Sequence, residues 1–179
     1  MDNYSIQKKL FLFIAILSIG IIGRIIPHPA NVTPLLALTL FAAKQFNLKT
    51  ASLSLCIILI ISDTMLSGLY HYPLFGSWTL FSYSGFMLIL LFSSLNPNAV
   101  KNHLIITVLA SSLGYWLWTN LGTFLFSGLY SHTISDFYTC YSVALPFLRN
   151  SLIGNLIWTI IVFKVRIPQK CRFPLRGND

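Results

Sequence analysis

The sequence predicts an all-α integral membrane bundle of six transmembrane helices with both termini on the cytoplasmic side, and three observations predict it. Charged residues make up only 9% of the 179 residues, against roughly 25% in an ordinary soluble domain, and mean hydropathy is +0.73. Six apolar segments can be marked between short polar or proline-containing connectors. The cations are then distributed unevenly. With the N-terminus inside, Lys8, Lys9, Lys44, Lys49, Lys101, Lys164, Arg166, Lys170, Arg172 and Arg176 fall on cytoplasmic segments, and only Arg24 and Arg149 fall outside, which is the positive-inside pattern.

The first segment runs from about Leu10 to Ile26. Lys8 and Lys9 before it imitate a secretory signal, but Arg24 and Pro27 stand where a small-residue cleavage site would be, so the segment reads as a retained helix. The second, about Thr33 to Phe46, places Pro34 in a first turn with Thr33 or Asn31 as cap. At about 14 residues it is short for a ~30 Å hydrocarbon core, so it is expected to be tilted, thinned around or partly covered by protein. The third runs from about Thr50 to Leu69. The fourth, Gly76 to Leu95, ends at the turn signal Asn96-Pro97-Asn98. The fifth, His103 to Phe126, is the longest, and the sixth, Leu145 to Val165, has Pro146 in its first turn. Ser-Gly-Leu-Tyr occurs at 67–70 and again at 127–130, each reading as a helix end with a glycine cap and a tyrosine anchor. The organisation is therefore a transmembrane domain over 1–166 and a basic cytoplasmic tail over 167–179, held near anionic lipid.

Several function classes are disfavoured. The net charge of +8 is spread over connectors and tail, without a continuous basic face, so no nucleic-acid partner is expected. Cys56, Cys140 and Cys171 are too few and too far apart for a disulfide framework. There is no Gly-rich phosphate loop and no GxSxG or HExxH signature. A non-enzymatic chain without an intrinsic cofactor is expected, and one that cannot drive ATP-powered transport alone.

The polar chemistry gathers at one mouth. Arg24-Ile-Ile-Pro-His-Pro-Ala-Asn-Val-Thr-Pro34 packs a cation, an imidazole, an amide and three prolines between two apolar runs, and the prolines hold it irregular and stiff. Asp63, a few residues inside the end of the third segment, is costly unless paired, and Arg24 at matching depth is its partner. That pair reads either as a structural bridge or as part of a ligand site. His28 is presented by rigid backbone, suited to a metal or polar ligand or simply solvated; with His71, His132 and the Cys140 thiol it could converge on a metal or metal-bearing ligand. Trp78, Tyr83, Tyr115, Trp116 and Trp118 suit either stacking on a ring-bearing solute or an interfacial belt. Asn120, an amide in an apolar span, needs a partner in a neighbouring helix or a ligand. Arg24, His28, Asn31, Asp63, His71, Trp78, Asn120 and Arg149 are the expected binding residues, and His28 and Cys140 the expected metal ligands.

Together with Thr119-Asn120, Ala144-Leu145-Pro146-Phe147 and Gly154-Asn155, the segment 24–34 and Asp63 with Gly68 resemble a family of small six-helix bacterial membrane proteins of unassigned function. By size, span number and outward polar loops, that family is similar to the substrate-binding S components of energy-coupling-factor vitamin transporters. The resemblance implies a multi-pass protein of the bacterial cytoplasmic (inner) membrane that captures a vitamin or related micronutrient, cobalamin being the first candidate, with His28 or Cys140 available to its cobalt. It also implies membrane lipid as a partner and, where the subunit is not solitary, a coupling protein with two ATPases. A membrane enzyme acting on a lipid or bound cofactor, with His28 and Asp63 as acid and base, and a scaffold subunit without ligand are the alternatives.

Overall fold

The computed structural model describes residues 3–164. The expected tail at 167–179, with Arg166, Lys170, Cys171, Arg172 and Arg176, lies outside them. The described residues form eight helices and no strand: α1 (Asn3–Ile25), α2 (Leu35–Gln45), α3 (Leu48–Tyr70), α4 (Ser77–Leu95), α5 (Pro97–Asn102), α6 (Leu104–Phe126), α7 (Ile134–Val143) and α8 (Leu145–Lys164). Over Ile6–Ile25 of α1, Trp78–Leu95 of α4 and the whole of α3, α6 and α8, helices are long and apolar enough to cross a membrane. The described residues are thus all-α, and the several apolar helices make the chain a multi-pass membrane protein.

The remaining apolar segment became α2, and it differs in kind from the others. Its 11 residues rise only about 16 Å, half of a ~30 Å hydrocarbon core. Every residue from Leu35 to Ala42 is buried, so this helix is apolar on all sides because it is enclosed on all sides. It packs against α1, α3, α4, α5, α6 and α8. Coverage by protein, one of the three accommodations expected for so short a segment, is the one adopted. Thr39, the polar residue in this run, returns its hydroxyl to the Leu35 carbonyl at 2.8 Å, so no donor is stranded in the core.

The long helices pack closely around α2 where glycine lets them. An added Cβ on Gly20 of α1 would meet Ile58 of α3 at 2.7 Å, and one on Gly122 of α6 would meet the Phe81 ring of α4 at 2.3 Å. The bundle has two chemically distinct ends. Arg24 of α1 meets Ser62 and Asp63 of α3 at one, while at the other Lys44, in the last turn of α2, lies over the Phe163 ring of α8 at 5.4 Å.

Local expectations are corrected in four places. Asn96-Pro97-Asn98 does not end in a simple turn but opens α5, with Pro97 in its first turn. Neither Asn31 nor Thr33 caps α2: Pro34 occupies the N-cap position and no side chain bonds there. Gly68 is inside α3, which is closed instead by His71 in the left-handed region (φ 56°); only Gly128 of the repeated tetrapeptide takes the left-handed turn (φ 72°) that favours glycine. Finally, α7 was not expected at all. Thr133 accepts from the Asp136 N–H at 3.1 Å while Asp136 accepts from the Ser131 N–H at 3.0 Å, a capping arrangement that starts a helix in a polar sequence. The Thr133 hydroxyl and its backbone, with the Ser131 N–H, hold the Asp136 carboxyl below its usual range.

Candidate functional site

A cleft of about 290 Å³ opens beside the N-terminus of α2, at the lower edge of the range usual for small-molecule sites. Six elements bring polar and aromatic side chains to it. Arg24 comes from α1, Asn31 and Thr33 from the segment before α2, Asp63 from α3, Trp78 and Tyr83 from α4, Tyr115 from α6, and Ser151 and Asn155 from α8. The side wall also includes Tyr72, from the loop between α3 and α4. Burial raises the Tyr72 phenol above its usual range, and the nearby Asp63 charge adds to this.

Arg24 and Asp63 form a bridge, Nη2 to Oδ1 at 2.7 Å, with side-chain exposures of 18% and 17%. Both groups are tied further. Arg24 Nη1 donates to the Ser62 hydroxyl, and Tyr83 donates its phenol to Asp63 Oδ2 at 2.8 Å. Ser62 in turn donates to the Ile58 carbonyl. The charges therefore compensate each other within a hydrogen-bonded chain across α1, α3 and α4. Such closure is what a carboxylate at this depth requires.

The backbone leading into the cleft is held by close approaches. A Cβ on Gly23 would lie 2.6 Å from Pro34 Cγ, and one on Gly154 would lie 2.9 Å from Val32 Cγ1 and 3.0 Å from Val32 Cα. Glycine on α1 and glycine on α8 thus let the proline-rich segment fit between those two helices. Asn31 adopts φ 65°, a conformation that asparagine tolerates better than most residues, and Val32 donates to the Pro29 carbonyl at 3.1 Å.

Of the expected binding residues, Arg24, Asn31, Asp63 and Trp78 line this cleft. His28, His71, Asn120 and Arg149 do not. His28 Nδ1 lies 2.9 Å from the Pro29 carbonyl, a local contact. His71 is the exposed cap of α3. Asn120 donates its Nδ2 to the Trp116 carbonyl one turn back in its own helix at 2.7 Å, and Arg149 is exposed on α8. The three loop imidazoles and Cys140 do not converge: among the described residues no three His, Cys, Asp or Glu side chains gather to hold an ion. Cys140 is buried on α7 with its thiol directed at the Asn120 carbonyl at 3.7 Å. His132 stands against the Phe124 ring with Nε2 3.2 Å from the Leu125 carbonyl.

Sequence reasoning missed Asn155 as a site residue, although Gly154-Asn155 stood out as a motif. An amide beside a glycine in an otherwise apolar span was the available signal. Trp118 and Trp116, by contrast, serve the scaffold. Trp118 Nε1 donates to Ser84 of α4 at 2.9 Å, and Trp116 Nε1 to the Ala144 carbonyl at 3.0 Å, where α7 passes into α8.

A family model described as a family of unknown function (DUF6580) matches residues 4–173. No curated protein and no solved structure matches the chain.

Proposed function

The chain belongs to the DUF6580 family, whose function is unknown, and from that premise we propose that it captures a small solute in the Arg24–Asp63 cleft and serves its uptake across the membrane. The carrying observation is convergence: six separate elements bring charged, hydroxyl, amide and aromatic side chains to one cavity beside the uncapped end of a buried half-helix. Half-helices ending inside a bundle, with irregular backbone lining a cavity, are how membrane carriers commonly present polar groups to a solute.

In this reading α2 is a sixth, protein-enclosed segment, the lysine end faces the cytoplasm with both termini, and the cleft faces the exterior of a bacterial cytoplasmic membrane. The alternation of long helices with the cation asymmetry supports that orientation. The preference for capture over catalysis, with a vitamin or related micronutrient as cargo and a coupling protein with ATPases supplying energy, is taken from the sequence's resemblance in size and polar loops to vitamin-transporter S components and is part of the proposal. A cleft of about 290 Å³ favours a compact ligand; a corrinoid would need the loops around Tyr72 and Asn31 to open.

Native mass spectrometry of protein extracted gently from its membrane tests the reading. A small molecule retained at one per chain, and absent from an Asp63→Ala variant, is the expected result. Unliganded protein under every extraction condition, with no binding to any vitamin added afterwards, would contradict capture.

A further inference from the structure

We propose that the solute of this cleft is an uncharged, planar heteroaromatic ring bearing an N–H donor and a C=O acceptor on one edge, as in a lactam, an imide or a ring carboxamide. The inference deepens the capture reading and rests on it.

Asn155 is the starting point. It is buried, with 7% exposure, and lines the cleft. Its amide orientation follows from its neighbour: Ser112 spends its single hydroxyl proton on the Val108 carbonyl at 2.8 Å, so Ser112 Oγ accepts from Asn155 Nδ2 at 2.9 Å. Among the described residues Asn155 Oδ1 has no partner. The side-chain atoms among them sealed from solvent without a partner are Ser93 Oγ, Ser94 Oγ and Thr159 Oγ1, so Asn155 Oδ1 stays reachable from the cleft, an acceptor that a solute N–H can take over from water. Leu35 and Leu36, the first residues of α2, line the same cleft, and no side chain caps that helix. The first N–H groups of a helix have no intrahelical acceptor, so this end offers donors and a positive dipole. The close approach of Gly154 to Val32 sets the free acceptor of α8 beside the segment that leads into those donors. An edge carrying both N–H and C=O satisfies the two together.

The net charge of the ligand follows from the bridge. Arg24 and Asp63 are already paired, and Ser62 and Tyr83 take a further contact on each. A charged ligand would either break that pair or add an uncompensated charge at depth in the bundle, and both are costly. Shape follows from the walls. Trp78, Tyr83, Phe86 and Tyr115 line the cavity, and the Phe86 and Tyr115 rings pack together at 4.4 Å between centroids with a 37° tilt, a cluster of aromatic faces and edges against which an aromatic ring can pack.

The test is equilibrium binding to the detergent-purified full chain by isothermal titration. The neutral probes are uracil, hypoxanthine and nicotinamide; orotate and nicotinate are anionic counterparts of the same shapes, and cyclohexanecarboxamide is the non-aromatic control. At least one neutral ring is expected to bind tenfold or more tightly than its anionic or non-aromatic counterpart. Asn155→Leu should lower that affinity tenfold or more. Trp78→Ala, at a half-exposed position and so expected to keep the fold, should lower it as well and covers the case in which Asn155→Leu does not fold. Preferential binding of orotate or nicotinate through Arg24 would overturn the inference while leaving capture standing, as would a retained native ligand of another class. No binding by any probe and no retained ligand would overturn both.

Discussion

Replacing Asp63 with alanine is expected to destabilise the bundle by about 3 kcal/mol and to lower ligand affinity by tenfold or more, because it strands the Arg24 guanidinium at depth. The bridge at 2.7 Å and the Tyr83 phenol at 2.8 Å both lose their acceptor in that variant. Removing both charges is expected to behave differently. In Arg24→Leu with Asp63→Leu no charge is left unpaired, and replacement of a buried pair by apolar groups is often neutral for stability. Most of the stability should therefore return, while binding should not, since Tyr83 loses the partner that fixes it at the polar edge of the cleft. Thermal unfolding in detergent, measured beside ligand retention, separates the two roles. Full recovery of binding in the double variant would make the bridge purely structural.

Gly23→Ala is expected to cost about 1–3 kcal/mol, the usual penalty for overpacking, and to remove binding through displacement of the segment before α2. The new methyl group would start 2.6 Å from Pro34 Cγ, and a proline ring has no rotamer by which to retreat. Gly154→Ala should act similarly from the opposite side, since one of its contacts would be the Val32 backbone at 3.0 Å. Gly114→Ala is the matched control. Nothing lies within 4 Å of a Cβ added there, so the exchange should be neutral, or stabilising by up to ~1 kcal/mol through helix propensity. Equal effects at Gly23 and Gly114 would show that the segment is not braced in the way the close approaches indicate.

Apolar patterning made the long helices legible, because a membrane-crossing segment must be continuously apolar and its ends are marked by charge and proline. Arg24 and Asp63 could be paired from depth alone, for an isolated ion in such a place is too costly to leave unpaired. What patterning cannot supply is rotation. Helices that are apolar almost all round do not reveal which face turns inward, so Asn155 on α8 escaped notice as a site residue. Residues conspicuous by type, Asn120 and the histidines of the loops, proved to bond locally or to be exposed. His71 is a case in point: it closes α3 in a left-handed conformation, a role that its imidazole suggests nothing about. The helix α7 was illegible for a further reason. Its sequence, Ile134 to Val143, is neither long nor apolar enough for a span, and only the Thr133–Asp136 spacing announces it.

The central claim, an outward-facing cleft that binds a solute, is tested most directly by thiol accessibility at Ser151, which lines the cavity from α8. The Ser151→Cys variant, with Cys56, Cys140 and Cys171 changed to serine, is treated in intact cells with a membrane-impermeant thiol reagent. Labelling from outside, suppressed when the bound solute or a binding probe is present, is the predicted result. Labelling only after the membrane is breached, or at a rate indifferent to every ligand the protein binds, would contradict it.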